Sequence, residues 1–341
     1  MKVLLIKTSS FGDVIHTLPA VTDLCRLIPD VELNWVIEES FQEIPLLNPS
    51  IGKIIPVAIR RWRKSWITAL PEIKRFYHHL READYDVVID AQGLMKSALL
   101  AKMAKGEVHG LDAQSSKEAS TGILYDKTYY VDKNLHAVER LRELFSLVFN
   151  YDLEGLPLDY GIDMKIVSSQ EKKLFFLHGT TWASKHWPES RWRELALLCA
   201  EKGYPVQISH GNEKERLRAE RIVSGIDKAN VIKPSNINEL ANEIGSCAGV
   251  VSVDTGLGHL ATALNVPVVG IYGATNPTLT GFHGVRSHII VSDNPSCIPC
   301  MRKECEHEAV RGSVYPPCYE STSANRVFNM LSKQISLTHQ D

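Results

Sequence analysis

Along the chain, short continuous apolar runs end in small polar residues and give way to apolar positions at helical spacing. The first run, Val3-Leu4-Leu5-Ile6, leads into Lys7-Thr8-Ser9-Ser10-Phe11-Gly12-Asp13, after which Val14, Leu18, Val21, Leu24, Cys25 and Ile28 recur on one helix face. An apolar run without alternation is what a parallel strand buried on both faces requires. The same reading predicts strands over 31–37, 54–59 and 85–90, and helices near 40–47, 68–81, 94–104 and 135–149. In the second half, strands are predicted over 173–177, 206–209, 249–253 and 267–273. Helices follow Pro188 (with Trp192, Leu195, Ala196 and Cys199 in period), the turn 210–215 and the turn after Asp254, and a last one is predicted near 323–335. Strands alternating with helices mean an α/β chain with parallel, doubly wound sheets.

A length of 341 residues suits two domains. Tyr151 to Ser169 holds Gly155, Pro157 and Gly161 with little helical period, which places the junction there. The expected division is 1–155, 170–320, and a terminal helix in 321–341 that returns to the first domain. Composition, with 44% hydrophobic and 23% charged residues, is that of an ordinary globular protein. A net charge of −2 excludes a generally basic nucleic-acid binder, so an anionic partner must meet a local patch. No apolar run approaches the ~18 residues of a membrane helix, and Met1 to Ile6 is too short for a secretory signal. The chain is therefore expected in the cytosol, with its seven cysteines largely reduced.

Candidate chemistry gathers where strands pass into helices, the end of an open parallel sheet at which ligands bind. In the first turn Gly12 allows close approach of a ligand. Asp13 reads equally as a helix cap and as a catalytic carboxylate. Asp90-Ala91-Gln92-Gly93 ends its strand on the same side. In the second half, His178-Gly179-Thr180-Thr181-Trp182-Ala183-Ser184-Lys185 offers hydroxyls and a cation for phosphate oxygens. Asp254-Thr255-Gly256-Leu257-Gly258-His259 offers free N–H groups at a helix start, two glycines and an imidazole, an arrangement that suits an anion; the other reading is a purely structural glycine turn. Between them, Arg60-Arg61-Trp62-Arg63-Lys64 packs four cations into a nearly neutral chain; it is either a solvated loop or a clamp for an anion-rich ligand. There is no G-x-G-x-x-G after the first strand, no G-x-x-x-x-G-K-[ST] and no G-x-S-x-G, which argues against a dinucleotide oxidoreductase, a P-loop NTPase and a serine hydrolase.

The run Lys7-Thr8-Ser9-Ser10-x-Gly12-Asp13-Val14-x-His16-Thr17-Leu18-Pro19-Ala20 closely resembles the opening of the lipopolysaccharide heptosyltransferase I family. The resemblance is dense again at 254–259 and covers most of the chain up to about residue 290. It implies the GT-B architecture, two Rossmann-like domains facing across a cleft, and transfer of heptose from ADP-heptose to Kdo-lipid A with inversion. It also implies Asp13 as general base, Lys185 as the cation at the leaving phosphate, and Thr180, Thr181, Glu215 and 254–259 around the donor. Ser10, Gly12, Arg60, Arg61, Arg63, Lys64, Gln92, His136 and Arg140 would face the acceptor. Trp182 stands where a polar residue is expected, and Gly258 replaces a residue that is often Ser. No catalytic metal is expected, because fixed hydrogen-bond donors can stabilise the leaving group. On this reading the enzyme works at the inner face of the cytoplasmic membrane. The rivals are a nucleotide-sugar epimerase or hydrolase on the same fold, and a non-catalytic sugar-nucleotide or lipid A binder.

The tail departs from the resemblance. Cys297, Cys300, Cys305 and Cys318 put four of the seven cysteines into a short stretch, with His307 as a further ligand. A C-x₂-C pair with two more sulfurs can hold structural zinc or iron; the other reading is a set of reduced thiols.

Overall fold

The computed structural model describes residues 1–163, 171–234, 236–292, 296–309 and 313–338. The chain divides into two units, Met1–Asp163 and Met164–Asp341. Residues 164–169 of the expected linker lie outside the described residues, and 151–163 stay with the first unit. There Asp163 N–H donates to Leu47 O at 3.1 Å and Arg26 pairs with Asp159 at 2.5 Å.

In the first unit, β1 (Lys2–Ile6), β2 (Glu32–Glu38), β3 (Ile54–Val57), β4 (Asp84–Asp90), β5 (Lys105–Leu111) and β6 (Lys127–Tyr129) form a parallel sheet in the order β3-β2-β1-β4-β5-β6. Val3, Leu4, Leu5 and Ile6 are completely buried, as strands covered on both faces must be. Helices α1 (Phe11–Ile15), α2 (Leu18–Leu27), α3 (Ile59–Trp62), α4 (Trp66–Leu80), α5 (Met95–Met103) and α6 (Ala137–Phe149) make the connections. A buried ion pair, Arg142 Nε to Asp23 Oδ2 at 2.7 Å, ties α6 to α2.

The second unit repeats the plan. β7 (Glu171–Leu177), β8 (Val206–Ser209), β9 (Ala229–Ile232), β10 (Cys247–Val253), β11 (Val268–Tyr272) and β12 (Ser287–Val291) run in the order β12-β11-β10-β7-β8-β9, again all parallel. Read from the other edge this is the strand order of the first unit. Its helices are α7 (Glu189–Glu201), α8 (Glu213–Val223), α9 (Ile237–Gly245), α10 (Gly256–Ala263), α11 (Pro277–Thr280) and α12 (Ala324–Thr338).

In each unit the winding reverses beside the first strand. Ile6 pairs with Asp90 across β1 and β4, and Ser252 with Leu177 across β10 and β7. The two loops that leave these neighbouring strands part to opposite faces and open a crevice at the strand ends. Both predicted ligand turns of each half lie at that switch point.

Several local expectations change. Residues 40–47 form two short 3₁₀ turns, Glu39–Phe41 and Pro45–Leu47, instead of a helix, since Pro45 cannot donate within one. The helical run after Asp13 breaks into α1 and α2, with Pro19 in the first turn of α2. The strand at Ile54 stops at Val57 and passes into α3. Strands β5, β6, β9 and β12 carry too few continuous apolar residues to announce themselves, whereas helix α9, with Ile237, Leu240, Ala241 and Ile244 at helical spacing, is a readable element that is missing from those predicted above. Helix α12 packs on the core of the second unit. Its stripe of Val327, Leu331 and Ile335 is buried in that unit's core, and Gly249 on β10 makes room for it, since a Cβ there would meet Leu331 Cδ1 at 2.9 Å.

Candidate active site

In the first unit, Asp13 is the third residue of α1. Its Oδ2 accepts hydrogen bonds from Ser10 N–H at 2.9 Å and Ser10 Oγ–H at 2.6 Å, so the capping role is real. Its other carboxylate oxygen faces a lysine. The loop that ends at Glu118 is laid along the 90–95 turn by Glu118 N–H donating to Gly93 O at 3.1 Å and Met95 N–H donating to Glu118 Oε2 at 2.6 Å. This brings Lys117 Nζ to 3.7 Å from Asp13 Oδ1. Burial alone would raise the Asp13 pKa, but Lys7, Lys117 and the Ser10 bonds outweigh it and hold the carboxyl well below the usual range. Lys7 itself is buried, donates to Ala91 O at 2.9 Å, and is pushed down to about 8 by burial in spite of the attraction of Asp13. A carboxylate is thus kept ionised at the switch point by two lysines.

Gln92 faces inward. Its Oε1 accepts from Thr8 N–H at 2.7 Å and Thr8 Oγ1–H at 2.8 Å, and its Nε2 donates to Ser9 Oγ at 3.3 Å, so it braces the turn beneath Asp13. Asp90 is fully buried and accepts from Gln92 N–H, Ser97 Oγ–H and Tyr125 O–H, fixing the second turn; burial raises its pKa. Gly93 has φ +67°, a left-handed conformation that suits glycine. His136 caps α6, its Nδ1 accepting from Val138 N–H at 3.2 Å, with its ring edge-on to His16 at 5.6 Å. Arg140 donates to Ser115 O at 2.7 Å and acts electrostatically on Lys7.

The basic stretch is not uniform. Arg61 forks onto Glu39 at 3.1 and 3.2 Å and onto Glu72 at 2.7 Å, so its guanidinium already holds two carboxylates and ties α3 to α4 and to the turn after β2. Trp62 is tucked against Phe76, with centroids 5.6 Å apart. Arg60 lies over the Phe41 ring at 4.9 Å, and with Arg63 it acts electrostatically on Lys96, whose Nζ donates to Ser9 Oγ at 3.3 Å. These cations therefore border the first turn.

In the second unit the loop after β7 folds back over the start of α10. Lys185 Nζ lies 2.6 Å from Asp254 Oδ2 and 4.4 Å above the Trp182 ring. Thr275 Oγ1–H donates to the same carboxylate oxygen at 2.5 Å, and Thr180 Oγ1–H donates to Asp254 O at 3.3 Å. His259 Nε2 stands 4.0 Å from Asp254 Oδ1, with its ring edge-on to Phe282 at 5.0 Å. Thr255 is the N-cap of α10, so the first N–H groups of the helix, those of Gly256 and Leu257, lie at the strand ends, while Gly258 N–H donates back to Thr255 O at 3.0 Å. A Cβ on Gly258 would lie 2.1 Å from Phe282 Cζ, which explains glycine at this position. Glu215 packs against Gly179 and accepts from Gly211 N–H at 2.7 Å, at the strand-end side of α8. Thr181 is exposed. The loop is held from below by Arg218, which donates to Trp187 O at 2.6 Å and contacts His186 Nδ1 at 2.5 Å.

Lys7, Lys117 and Arg218 were given no role from the sequence. Lys7 closes the first apolar run, and that position was a usable signal. The other two act only across the fold.

The four tail cysteines line one cavity of about 370 Å³ together with His307 and Ser184. All seven cysteines are free thiols. Among the described residues no three His, Cys, Asp or Glu side chains converge as metal ligands.

A model of glycosyltransferase family 9 (heptosyltransferase) matches residues 73–311. The chain is 46% identical to lipopolysaccharide heptosyltransferase 1 of Pseudomonas aeruginosa over 314 residues, covering 90% of this chain and 88% of that one. It is 42% identical to lipopolysaccharide heptosyltransferase 1 of Escherichia coli K12 over 291 residues, covering 83% and 91%. Of solved structures, E. coli heptosyltransferase WaaC with ADP matches with a TM-score of 0.88 at 36% identity, covering 98% of this chain and all of that one. WaaC with ADP-2-deoxy-2-fluoro heptose matches with a TM-score of 0.85.

Proposed function

The chain belongs to the heptosyltransferases of glycosyltransferase family 9, and we propose that it moves L-glycero-D-manno-heptose from ADP-heptose to the Kdo of Kdo-lipid A in the lipopolysaccharide inner core. It is a glycosyltransferase of the GT-B class, with two parallel α/β sheets. The observation that carries the reading is that the first unit holds an ionised carboxylate at its switch point and the second holds a cation and a helix N-terminus at its own.

The reaction is a single displacement. As the acceptor oxygen bonds to the anomeric carbon, the anomeric bond to the diphosphate oxygen breaks, and ADP leaves on the opposite face with the bonding electrons. Asp13 takes the acceptor proton. A carboxylate with so low a pKa is a weak base at rest, so it suits a proton that leaves late, once the attacking oxygen has become acidic through bonding. The α10 N–H groups, His259, Lys185 and Thr181 meet the charge growing on the leaving diphosphate. Asp254, a carboxylate itself, serves by holding Lys185 and Thr275. Glu215 is assigned to the donor ribose. Arg60, Arg63, Lys64 and Arg140 suit the carboxylate and phosphate groups of the acceptor. Among the described residues no helix is long and apolar enough to cross a membrane, and the acceptor is met at the membrane surface.

Incubation with ADP-heptose and Kdo-lipid A tests the reading. Heptosylated acceptor and one ADP per transfer are expected. ADP released without acceptor would mean a hydrolase, and binding without turnover a carrier.

A further inference from the structure

Helix α4 carries more apolar surface than its packing uses. Ala69, Phe76 and Leu80, at i, i+7 and i+11, are buried against the first unit, and one such face is enough to hold an amphipathic helix in place. Trp66, Leu70 and Tyr77, at i, i+4 and i+11, form a second apolar line beside it, and Ile67 and Lys74, seven residues apart, form the next. This second face is turned to solvent: Trp66 and Ile67 are each 64% exposed and Leu70 is 50% exposed. Single apolar side chains in water need no explanation, but large ones exposed side by side mark a surface that meets a partner.

The charge around this face has one sign. Residues 59–81 hold seven Arg and Lys and one acid, Glu72, a local balance of +6 in a chain whose net charge is −2. Glu72 is taken up by Arg61. Arg63 and Lys64 stand exposed just before α4, and Lys74 and Arg75 stand exposed on the helix itself. Cations ahead of a helix whose first turn holds no acid oppose its dipole, so their placement does not serve the helix. An anionic surface offsets that cost. Aromatic and aliphatic side chains rimmed by Lys and Arg are the composition of a helix that lies in a lipid interface, its apolar face at the acyl boundary and its cations among the phosphates. A second copy of the chain is a poor occupant, because it would bring the same positive charge against itself.

We propose that the exposed face of α4, with Arg63, Lys64, Lys74 and Arg75 around it, docks the first unit onto an anionic lipid bilayer. Trp66, Ile67 and Leu70 enter the interface, Tyr77 lies at the level of the headgroups, and the cations meet lipid phosphates. The face adjoins the acceptor turn. β3 runs parallel to β2 and β1, so α3 and the start of α4 leave the sheet at the same edge as the Asp13 turn. Arg60 and Arg63 act electrostatically on Lys96, whose Nζ donates to Ser9 Oγ in that turn. Docking through α4 therefore holds the turn beside the bilayer, where an acceptor anchored by acyl chains displays its sugars. That consequence rests on the function proposed above; the docking itself does not.

Sedimentation with vesicles of phosphatidylethanolamine and phosphatidylglycerol tests the docking without any acceptor. The wild type is expected to bind them, to bind pure phosphatidylcholine vesicles far more weakly, and to lose affinity as salt rises. Trp66→Gln, Ile67→Gln and Leu70→Gln together should lower vesicle affinity by about 10-fold or more, through lost apolar burial. Lys74→Gln with Arg75→Gln should lower it by roughly 5-fold per cation. All five positions face solvent, so melting temperature and ADP affinity should stay at the wild-type values. Brominated lipid should quench tryptophan fluorescence in the wild type, and Trp66→Phe should remove most of that quenching. In transfer assays the triple variant should raise the KM for acceptor carried in vesicles and leave the KM for a de-acylated, water-soluble acceptor unchanged. Equal binding to neutral and anionic vesicles, wild-type vesicle affinity in both variants, or a dimer that the triple variant dissolves would overturn the proposal. Vesicle binding without transfer to either acceptor would instead overturn the heptosyl reading and leave the docking in place.

Discussion

Lys185 Nζ sits 2.6 Å from Asp254 Oδ2 and 4.4 Å above the Trp182 ring. The ammonium is held between a carboxylate and an aromatic face at the end of the sheet. This accounts for Trp182 at a position where a polar residue was expected: the ring orients the lysine. Lys185→Ala should weaken transition-state stabilisation by roughly 1.5–3 kcal/mol, the worth of a hydrogen bond to a charged group. The loss should be larger in kcat than in ADP affinity. Steady-state kinetics beside ADP calorimetry separate the two, and an unchanged kcat would place the side chain outside the chemistry.

Asp13→Asn should keep the fold and donor binding while lowering turnover by about 10²–10⁴, the usual contribution of a general base. The amide can still accept from Ser10, so the cap survives. Near-normal turnover would leave Asp13 as a cap alone.

Neutralising Arg60, Arg63 and Lys64 together should raise the acceptor KM and leave ADP-heptose affinity unchanged. Each exposed charge is worth only ~0.2–1 kcal/mol, so single variants should show little. Arg61→Ala should behave differently, loosening the loop at Glu39 and Glu72 with little direct effect on acceptor affinity. Kinetics at low ionic strength distinguish these cases. A triple variant with wild-type acceptor KM would remove the loop from the site.

Gly258→Ser should destabilise the second unit by about 1–3 kcal/mol through overpacking, because the added Cβ falls on Phe282. Phe282→Leu in the same chain should recover most of the loss. Thermal melts of the single and double variants measure this, and a harmless Gly258→Ser would mean that the ring moves aside freely.

Acid should weaken the second unit through His178. Burial, with Arg218 nearby, pushes its pKa down to about 3, against an ordinary value of 6.5. The unfolded chain therefore takes up the proton first as pH falls. This contribution is fully present above about 6.5 and is lost progressively as pH drops towards 3. Between pH 7 and 4, His178→Leu should show a shallower fall in melting temperature than the wild type. Parallel slopes would assign the acid sensitivity to other groups.

Much of this protein was determined locally. A strand buried on both faces must be written as a continuous apolar run, so β1, β4, β7, β10 and β11 were legible as parallel strands. The turns after β1, β7 and β10 were legible because close approach to a ligand calls for glycine, small hydroxyl residues and a charge at a helix start. Edge strands β6 and β9 gave no such signal, since an edge needs less apolar surface. The tertiary structure decided which groups meet. Lys117 reaches Asp13, and Thr275 meets Lys185 on one oxygen of Asp254, because in each unit the reversal of winding, beside β1 and beside β7, brings distant loops to that unit's own crevice. Arg61 turned to Glu39 and Glu72, and α12 packed on the core of the second unit, through tertiary contacts as well. Such pairings depend on distances through space, and residue spacing along the chain does not encode them.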